Sequence, residues 1–381
     1  MNNIQQINKL SIQQFKNEIA NIKMQSDLQS RLDQAEKSHT AKFRDFSDLD
    51  MIVWYIHKRN HLNIEHERTQ KTIKEYEREL TMFVHQLVTF SNEIDLDIDN
   101  FVDNSLFKSL QPRHIRRYQE WLATRSPYVK QMGSYSAATL ARKATIVKSF
   151  LVFLFESNYI SEMLHTGFYN ISVRTDDRPN RDFSPLEVIK LLDSYKEIGH
   201  VVMFSIVHIL STTGLRNEEF CRLNVGDLQV DYVTGSYYLN VLGKGNKRRQ
   251  IPLRDKVLTS IKQYRKVRCL KPLDEANLNE ALFTTGRGTR FSVSYFTQYV
   301  ANEINKLDLP MFVARNTNIT PHFFRHAFAI ISKINGADVY NIMRSLGHAK
   351  IDTTMIYLDK IFEKERHAIH SWKPELMKNY I

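Results

Sequence analysis

Hydrophobic positions recur with helical spacing through most of the chain. Apolar side chains return every three or four positions, as in amphipathic helices, over residues 50–60, 69–90, 113–124 and 136–158. Pro112 suits the first turn of the third of these helices, and Ser136 is a typical N-cap residue for the fourth. Four helices with separate apolar faces predict a small bundle over residues 45–172.

The first 44 residues are predicted to form an N-terminal helical extension. They are rich in Gln and Asn, yet they carry a narrow apolar stripe of the kind that suits a partner helix, at Ile12, Phe15, Ile19, Ile22, Leu28 and Leu32. Two interpretations stay open at this point: a helix that packs on its own domain, and an oligomerisation or regulatory helix.

A second domain is predicted to follow a polar linker. Residues 173–183 lack periodicity, and Ser184 and Glu187 then form a capping box with Pro185 at the first helical position. The helix at Val201–Leu210 is apolar nearly all round, which predicts burial in the core. We expect this domain to occupy residues 184–361 and a C-terminal tail to occupy residues 362–381, packed either in cis or on a neighbouring subunit.

A change to strand-like alternation predicts one β-hairpin in the second domain. Its strands lie near residues 237–241 and 249–252, with the flexible basic turn Gly243-Lys244-Gly245-Asn246 between them. Helical patterns then return near residues 254–270, 292–306, 321–335, 338–345 and 352–367. The predicted fold class is therefore mainly α: a helical bundle followed by a mixed α+β, mostly helical domain with a small β-sheet.

Charge and composition narrow the classes of partner. The chain of 381 residues holds 53 Lys+Arg against 42 Asp+Glu, a net charge of +11, which favours a polyanionic partner. Two cysteines cannot form a disulfide framework, and the N-terminus has no signal-peptide pattern, so we expect a cytoplasmic protein without a membrane association. Neither a metal-binding cluster nor a Gly-rich phosphate loop is apparent, so we expect no cofactor.

Four segments of the second domain carry unusual polar and cationic residues. Each has an ordinary structural explanation when it is taken alone, such as a salt-bridged arginine, a solvated basic turn, a capped surface helix or a packed tyrosine. The segments are Thr213–Glu219 with Arg216, the turn from Lys244 to Arg249, Thr320–His326 with His322 and Arg325, and Leu346–His348 followed by Tyr357. Their order along the chain is more informative than any single one.

That order resembles the tyrosine recombinase (phage integrase) family over about Phe183–Ile361. The matching segments read TGLRNEE, GKGNKRRQIPL, TPHFFRHAFA and SLGHAKIDTTMIY. The resemblance implies catalytic roles for Arg216, Lys244, His322, Arg325, His348 and Tyr357, with Glu219 orienting Arg216. It extends more weakly to the helix over residues 136–160, which looks like the last helix of a core-binding domain.

The implied reaction is attack of a tyrosine on a DNA phosphodiester, which forms a 3′-phosphotyrosyl link. Arginines would stabilise charge on the phosphate, His348 would donate to its oxygens, and His322 would accept the tyrosine proton. Lys244 would protonate the leaving 5′-oxygen, with Lys247 as a weaker candidate. The resemblance also implies a homotetramer on two DNA sites, with strand exchange through a Holliday junction and, as an open question, an accessory DNA-bending protein.

We expect double-stranded DNA to be clamped between the two domains. The cationic residues selected for contacts with it are Arg116, Arg117, Arg142, Lys143, Lys148, Lys247 and Arg248. Two alternatives keep part of this interpretation: a type IB topoisomerase-like or telomere-resolving enzyme, and a catalytically inactive DNA-binding accessory protein. The presence of all six catalytic residues disfavours the inactive protein, because DNA binding alone does not require Tyr357.

Overall fold

The computed structural model describes residues 22–372 except 60, 64–66, 175–180, 244–246, 314, 316 and 366. The chain divides into two compact units, Met1–Arg178 and Pro179–Ile381. The predicted fold class is confirmed, since helices dominate both units and one small antiparallel sheet lies in the second. Within the described ranges, every helix is too short or too polar to span a lipid bilayer.

The first unit is helical in its described part. Its helices are α1 (Ile22–Lys37), α2 (Asp48–His57), α3 (Gln70–Thr89), α4 (Ser91–Ile94), α5 (Leu106–Ser109), α6 (Pro112–Thr124), α7 (Pro127–Met132) and α8 (Ala137–Glu156). The predicted caps are confirmed: Pro112 occupies the first turn of α6, and the Ser136 hydroxyl accepts a hydrogen bond from the Thr139 backbone N–H at 3.2 Å.

Large side chains that are completely or almost completely buried fill the core of this unit, among them Trp121, Phe83, Phe107 and Phe150. Leu28 and Leu32 of α1 join the same core, so this part of the predicted apolar stripe packs on its own unit. The rest of the stripe, Ile12, Phe15 and Ile19, lies outside the described residues, and for Ile22 only the backbone is described.

The second unit combines helices with a three-stranded sheet. In chain order its elements are α9 (Pro185–Glu197), α10 (Val201–Thr213), α11 (Asn217–Arg222), β1 (Leu228–Val230), β2 (Tyr237–Leu242), β3 (Arg248–Pro252), α12 (Asp255–Val267), α13 (Val293–Asn305), α14 (Pro310–Val313), α15 (Pro321–Ile334), α16 (Val339–Leu346) and α17 (Ile351–Glu365). The capping box of Ser184 and Glu187 at α9 is confirmed.

The predicted hairpin is confirmed, and a third strand joins it. Strand β2 pairs antiparallel with both β1 and β3, with Leu239 opposite Leu228 on one side and Ile251 on the other. The sequence did not predict β1, because three residues are too few to show a strand periodicity. Residues 244–246 of the hairpin turn lie outside the described part.

The second unit contains an aromatic stack on α11 and two glycine turns close to its cationic residues. Phe220 on α11 stacks between Phe283 and Phe296, with ring centroids 4.3 and 4.5 Å away. Gly214 ends α10 and Gly347 ends α16, both in the left-handed conformation, as predicted for Gly347. At each of these turns the chain leaves the helix. Leu215 and Arg216 follow the turn at Gly214, and His348 follows the turn at Gly347.

The start of the predicted tail packs in cis. Phe362, in the last turns of α17, is buried in a small cluster of the second unit together with Leu346 and Leu358. Trp372 is 49% exposed, and residues 373–381 lie outside the described part of the chain.

Candidate active site

Arg216 occupies the N-cap of α11, and Glu219 holds it there. The Arg216 backbone N–H donates to Glu219 Oε2 at 2.7 Å, and its Nη1 donates to Oε1 at 2.8 Å. Nη2 of the same guanidinium donates to the Gly347 carbonyl at 3.3 Å. The Arg216 side chain is 31% exposed, so its charge remains accessible from solvent.

A second arginine binds the same carboxylate from the sheet. Arg249 on β3 donates from Nη1 to Glu219 Oε1 and from Nη2 to Oε2, each at 2.8 Å. Burial alone would raise the pKa of Glu219. The hydrogen bonds and charge of Arg249, with those of Arg216, outweigh burial and lower that pKa to about 2, so the carboxylate stays ionised at neutral pH.

Arg325 on α15 is completely buried and donates hydrogen bonds to both glycine turns. Its Nη1 donates to the Gly214 carbonyl at 2.6 Å, and its Nη2 donates to the Leu346 carbonyl at 2.5 Å. Among the described residues, its Nε–H has no hydrogen-bond partner. Burial and the neighbouring charge of Arg216 lower the pKa of Arg325 to about 10, so it remains a cation at neutral pH.

His348 follows the Gly347 turn and is fixed by a buried hydroxyl. Its Nδ1 lies 2.8 Å from Thr354 Oγ1, and Thr354 is completely buried in the first turn of α17. A hydroxyl that donates to Nδ1 leaves the ring proton on Nε2, which then serves as a donor. The loop and the start of α17 therefore orient this imidazole together.

Tyr357 on α17 lies among three imidazole rings. The ring centroid of Tyr357 is 3.9 Å from that of His326, 5.3 Å from that of His348 and 6.1 Å from that of His322. His322 and His326 are four residues apart and share one face of α15, with ring centroids 5.0 Å apart. Tyr357 itself is only 9% exposed.

These three histidines are neutral at physiological pH. Burial, followed by the charge of Arg181, lowers the pKa of His322 to about 4. Burial also lowers the pKa of His326 and of His348 to about 3, with further contributions from His322 and Arg325 respectively. Neutral imidazoles can accept a proton as well as donate one, which is what acid–base chemistry on a tyrosine requires.

Among the described residues named above for this site, positive charge exceeds the negative charge of Glu219. Arg216 and Arg249 bind Glu219, and the charges of these three groups act on the buried Arg325. Several buried or half-buried cations beside one carboxylate leave an excess that an anion such as a phosphate would neutralise. No group of three His, Cys, Asp or Glu side chains in the described ranges is placed to hold a metal ion.

The structure brings together five of the six residues selected as catalytic. Arg216, His322, Arg325, His348 and Tyr357 converge although they come from separate elements. The sixth, Lys244, lies outside the described residues. Glu219 contacts Arg216, as expected from the sequence, and contacts Arg249 as well.

The cationic residues selected for DNA contact differ in their surroundings. Arg116, Lys148, Lys247 and Arg248 are exposed. The other three are engaged within the first unit: Arg117 with Asp95 and Asp97, Arg142 with Glu75, and Lys143 with the buried Glu79 at 2.7 Å. Ion pairs of this kind are not foreseeable from the sequence, because the partners lie 20 to 67 residues away.

Sequence reasoning missed two residues of this site. Arg249 belongs to a basic turn by its sequence, and nothing local indicates its contact with Glu219, 30 residues earlier. His326 does leave a signal, because it follows His322 by four residues and therefore shares its helix face. Of the three histidines around Tyr357, it is the one whose ring lies nearest to the phenol.

This chain is similar to known recombinases over most of its length. The model of the phage integrase family matches residues 183–364. Tyrosine recombinase XerC of Leptospira interrogans serogroup Icterohaemorrhagiae serovar copenhageni (strain Fiocruz L1-130) is 26% identical over 321 residues, covering 84% of this chain and 92% of that protein. Tyrosine recombinase XerD of Staphylococcus epidermidis (strain ATCC 12228 / FDA PCI 1200) is 30% identical over 306 residues, covering 78% and 90%.

Solved structures share the fold. The XerH site-specific recombinase in its post-cleavage complex with palindromic difH substrate gives a TM-score of 0.59 at 22% identity, covering 79% of this chain and 80% of that one. A lambda integrase dimer bound to a COC′ core site gives 0.55 at 13% identity, covering 76% and 72%.

Proposed function

This chain belongs to the phage integrase family of tyrosine recombinases, and we propose that it exchanges DNA strands through a 3′-phosphotyrosyl intermediate on Tyr357. Family membership confirms the resemblance drawn from the sequence and makes the protein a tyrosine site-specific recombinase. Our proposal concerns the residues, the intermediate and the assembly. The observation that carries it is that Arg216 and Arg325 both bind the Leu346–Gly347 turn, and that His348, which follows this turn, packs against Tyr357.

The arginines stabilise the pentacovalent transition state. Negative charge grows on the non-bridging oxygens of the phosphate during attack, and fixed cationic donors act most strongly on it in a site that excludes water. Arg216 is exposed enough to contact those oxygens directly. Arg325 is buried, and its unpartnered Nε–H and its charge lie within the same described site. The partly exposed fork of Arg216 suits direct contact with a phosphate, and the buried Arg325 acts on the same phosphate through its charge.

The histidines handle protons and orientation. A phenol with a pKa near 10 is a weak nucleophile at neutral pH, so a base that removes its proton during attack accelerates cleavage. His322 is neutral and adjacent to Tyr357, which suits this role. His348, with Thr354 donating to its Nδ1, offers Nε2–H to a phosphate oxygen. Lys244 on the hairpin turn then protonates the departing 5′-oxygen.

Rejoining needs no external energy source. The tyrosyl ester conserves the free energy of the phosphodiester that it replaces, so a 5′-hydroxyl from another duplex reseals the strand and releases Tyr357. Strands are exchanged one pair at a time. Exchange of the first pair forms a Holliday junction, and exchange of the second pair resolves it, which requires four protomers on two DNA sites. The proposed reaction would serve either the integration or excision of a mobile element or the resolution of a replicon.

Double-stranded DNA is the proposed partner, and phosphate contacts supply most of the affinity. The exposed cations Arg116, Lys148, Lys247 and Arg248 are available for such contacts. The ion-paired Arg117, Arg142 and Lys143 would have to exchange a carboxylate for a phosphate, which reduces their net contribution to affinity.

Covalent trapping on a nicked suicide DNA with the element's junction sequence tests the proposal. Wild type and Tyr357→Phe are compared on a denaturing gel with EDTA present. An adduct in wild type alone supports a metal-independent tyrosine nucleophile. DNA binding without any adduct, on two candidate junctions, would favour a catalytically inactive accessory protein instead.

A second assay separates recombination from the other tyrosine-based alternative. Two duplexes that carry the site, one of them labelled, report strand exchange, whereas a supercoiled plasmid reports relaxation. Exchange products and Holliday junctions support the proposed recombinase. Relaxation alone, with no product joining the two duplexes, would indicate a type IB topoisomerase-like enzyme, and closed hairpin ends would indicate a telomere-resolving enzyme.

A further inference from the structure

Arg249 uses all three of its guanidinium nitrogens inside the protein. Nη1 and Nη2 donate to the two oxygens of Glu219, and Nε donates to the Ser345 carbonyl at 3.0 Å. Its side chain is 11% exposed, whereas that of Arg216 is 31% exposed. Each of the three Arg249 nitrogens already donates to an acceptor of the protein, whereas Arg325 keeps an unpartnered Nε–H and Arg216 is more exposed. Arg249 is therefore the least suited of the three arginines to bind a substrate phosphate directly.

Glu219 depends on Arg249 for half of its hydrogen bonds. Oε1 accepts from Nη1 of Arg216 and Nη1 of Arg249, and Oε2 accepts from the Arg216 backbone N–H and Nη2 of Arg249. The side chain of Glu219 is only 4% exposed, so water cannot replace a lost partner. A buried carboxylate without half of its donors would turn or move, and Arg216 would move with it.

Arg249 also packs against the turns that carry two other catalytic positions. A Cβ atom added to Gly347, which precedes His348, would lie 3.2 Å from Arg249 Cδ. A Cβ atom added to Gly243, which precedes Lys244, would lie 3.5 Å from Arg249 Nη1. One side chain therefore contacts the anchor of Arg216, the turn before His348 and the start of the hairpin turn.

We propose that Arg249 is a positioning residue, which sets Arg216 through Glu219 and fixes the His348 turn and the hairpin against each other. This inference rests on the proposed recombinase function. Arg249 is the third arginine of the site, after Arg216 and Arg325. Its role in this proposal is to hold the catalytic groups in place rather than to contact the substrate. Misplacing catalytic groups by about 1 Å can cost about 100-fold in rate, and we expect a loss of that order without Arg249.

The test compares Arg249→Ala with Arg222→Ala. Arg222 lies on the same helix as Glu219 and pairs with Glu218 at 2.7 Å, but its side chain is 68% exposed. Single-turnover cleavage of the suicide DNA is measured beside DNA affinity. We expect Arg249→Ala to cleave about 100-fold more slowly at unchanged affinity, and Arg222→Ala to cleave at the wild-type rate. Methylguanidinium should restore part of the Arg249→Ala rate by filling the space beside Glu219.

Two further measurements distinguish positioning from loss of structure. The charged groups that act on Glu219 are Arg249, Arg216 and Arg325. Without Arg249 the pKa of Glu219 rises, so the fall in cleavage at acid pH should begin at a higher pH in Arg249→Ala than in wild type. In addition, the fall in rate from Glu219→Gln to the double variant Glu219→Gln/Arg249→Ala should be smaller than the fall from wild type to Arg249→Ala, because part of the effect of Arg249 passes through Glu219. The comparison of Glu219→Gln with the double variant remains usable if Arg249→Ala alone fails to fold, because neither of these two variants contains an unpaired carboxylate at position 219.

The outcomes separate this inference from the proposed function. If wild type forms the adduct and Arg249→Ala cleaves at the same rate, the positioning role is overturned and the recombinase proposal stands. The positioning role is overturned equally if the double variant is slower than Glu219→Gln by the full Arg249→Ala factor. Absence of a wild-type adduct would instead remove the proposed function on which the inference depends.

Discussion

The ring of Tyr357 rests against the imidazole of His326, with centroids 3.9 Å apart and planes inclined by 43°. His326 is buried, and its Nδ1 has no hydrogen-bond partner in the described part of the chain. The contact is therefore one of ring packing. It fixes the direction in which the phenol leaves α17, and with it the position of the phenolic oxygen.

We predict that the ring of His326, not its nitrogen, supports cleavage. His326→Phe keeps an aromatic ring against Tyr357 and should retain most of the single-turnover cleavage rate. His326→Ala leaves space into which the phenol can rotate, so its rate should fall by about 100-fold, as expected for a misplaced nucleophile. Equal losses in the two variants, with both proteins folded by circular dichroism, would contradict this and point to the imidazole nitrogen.

Stability should fall as the pH drops from about 7 to 4. In the unfolded chain a histidine titrates near pH 6.5, whereas in the folded protein the pKa of His322 is about 4 and those of His326 and His348 are about 3. Between these values the unfolded state binds more protons, so the free energy of unfolding decreases with falling pH. Each histidine contributes at most about 1.4 kcal/mol per pH unit.

Urea unfolding at a series of pH values measures this slope. His326→Phe removes one titrating group while keeping a ring in its place, so its slope between pH 4 and 6 should be shallower than that of wild type. The comparison cancels the contributions of the carboxylates and of the other histidines. An unchanged slope would show that His326 is protonated as readily in the folded protein as in the unfolded chain.

The turn at Gly347 should matter for cleavage beyond its effect on stability. Gly347 has a φ of +66° and Gly336 a φ of +83°, so alanine at either position adopts a left-handed conformation that costs about 1–2 kcal/mol. An alanine Cβ at Gly336 meets no atom within 4 Å, whereas at Gly347 it lies 3.2 Å from Arg249 Cδ. We expect similar stability losses in the two variants, but loss of cleavage only in Gly347→Ala.

Thermal unfolding and single-turnover cleavage, measured on both variants, check this prediction. Because both glycines lie at the ends of helices of the second unit, Gly336→Ala controls for the backbone cost alone. Equal cleavage by the two variants would mean that the contact between the Gly347 turn and Arg249 has no effect on the chemistry.

Features of this site that depend on nearby residues could be predicted from the sequence, and features that depend on tertiary contacts could not. Gly347 is predictable as a helix end because a glycine after an amphipathic segment is a local signal. Pro321 likewise marks the first turn of the helix that carries His322 and Arg325. The bond from Arg249 to Ser345 spans 96 residues, and no local pattern reports such a contact.

The catalytic order is recognisable because the family reaction fixes the residue types. The resemblance rests on residue types that recur in a fixed order along the chain, so Arg216 and Tyr357 can be selected as candidates without a structure. The partner of a surface cation is free to vary. That Lys143 would pair with the buried Glu79, while Lys148 stays exposed, follows from how α3 packs on α8 and cannot be read from either segment alone.

Lys244 should be identifiable as the general acid by changing the leaving group. Departure of the 5′-oxygen requires a proton, whereas a sulfur at the same bridging position leaves as a thiolate, since a thiol has a pKa of about 8.5. Lys244→Ala should therefore cleave the ordinary suicide DNA slowly and regain most of its rate on DNA with a bridging 5′-sulfur. Lys247→Ala, in the same basic turn, should lose DNA affinity and gain nothing from sulfur. If sulfur rescued Lys247→Ala instead, or neither variant, Lys244 would not be the proton donor.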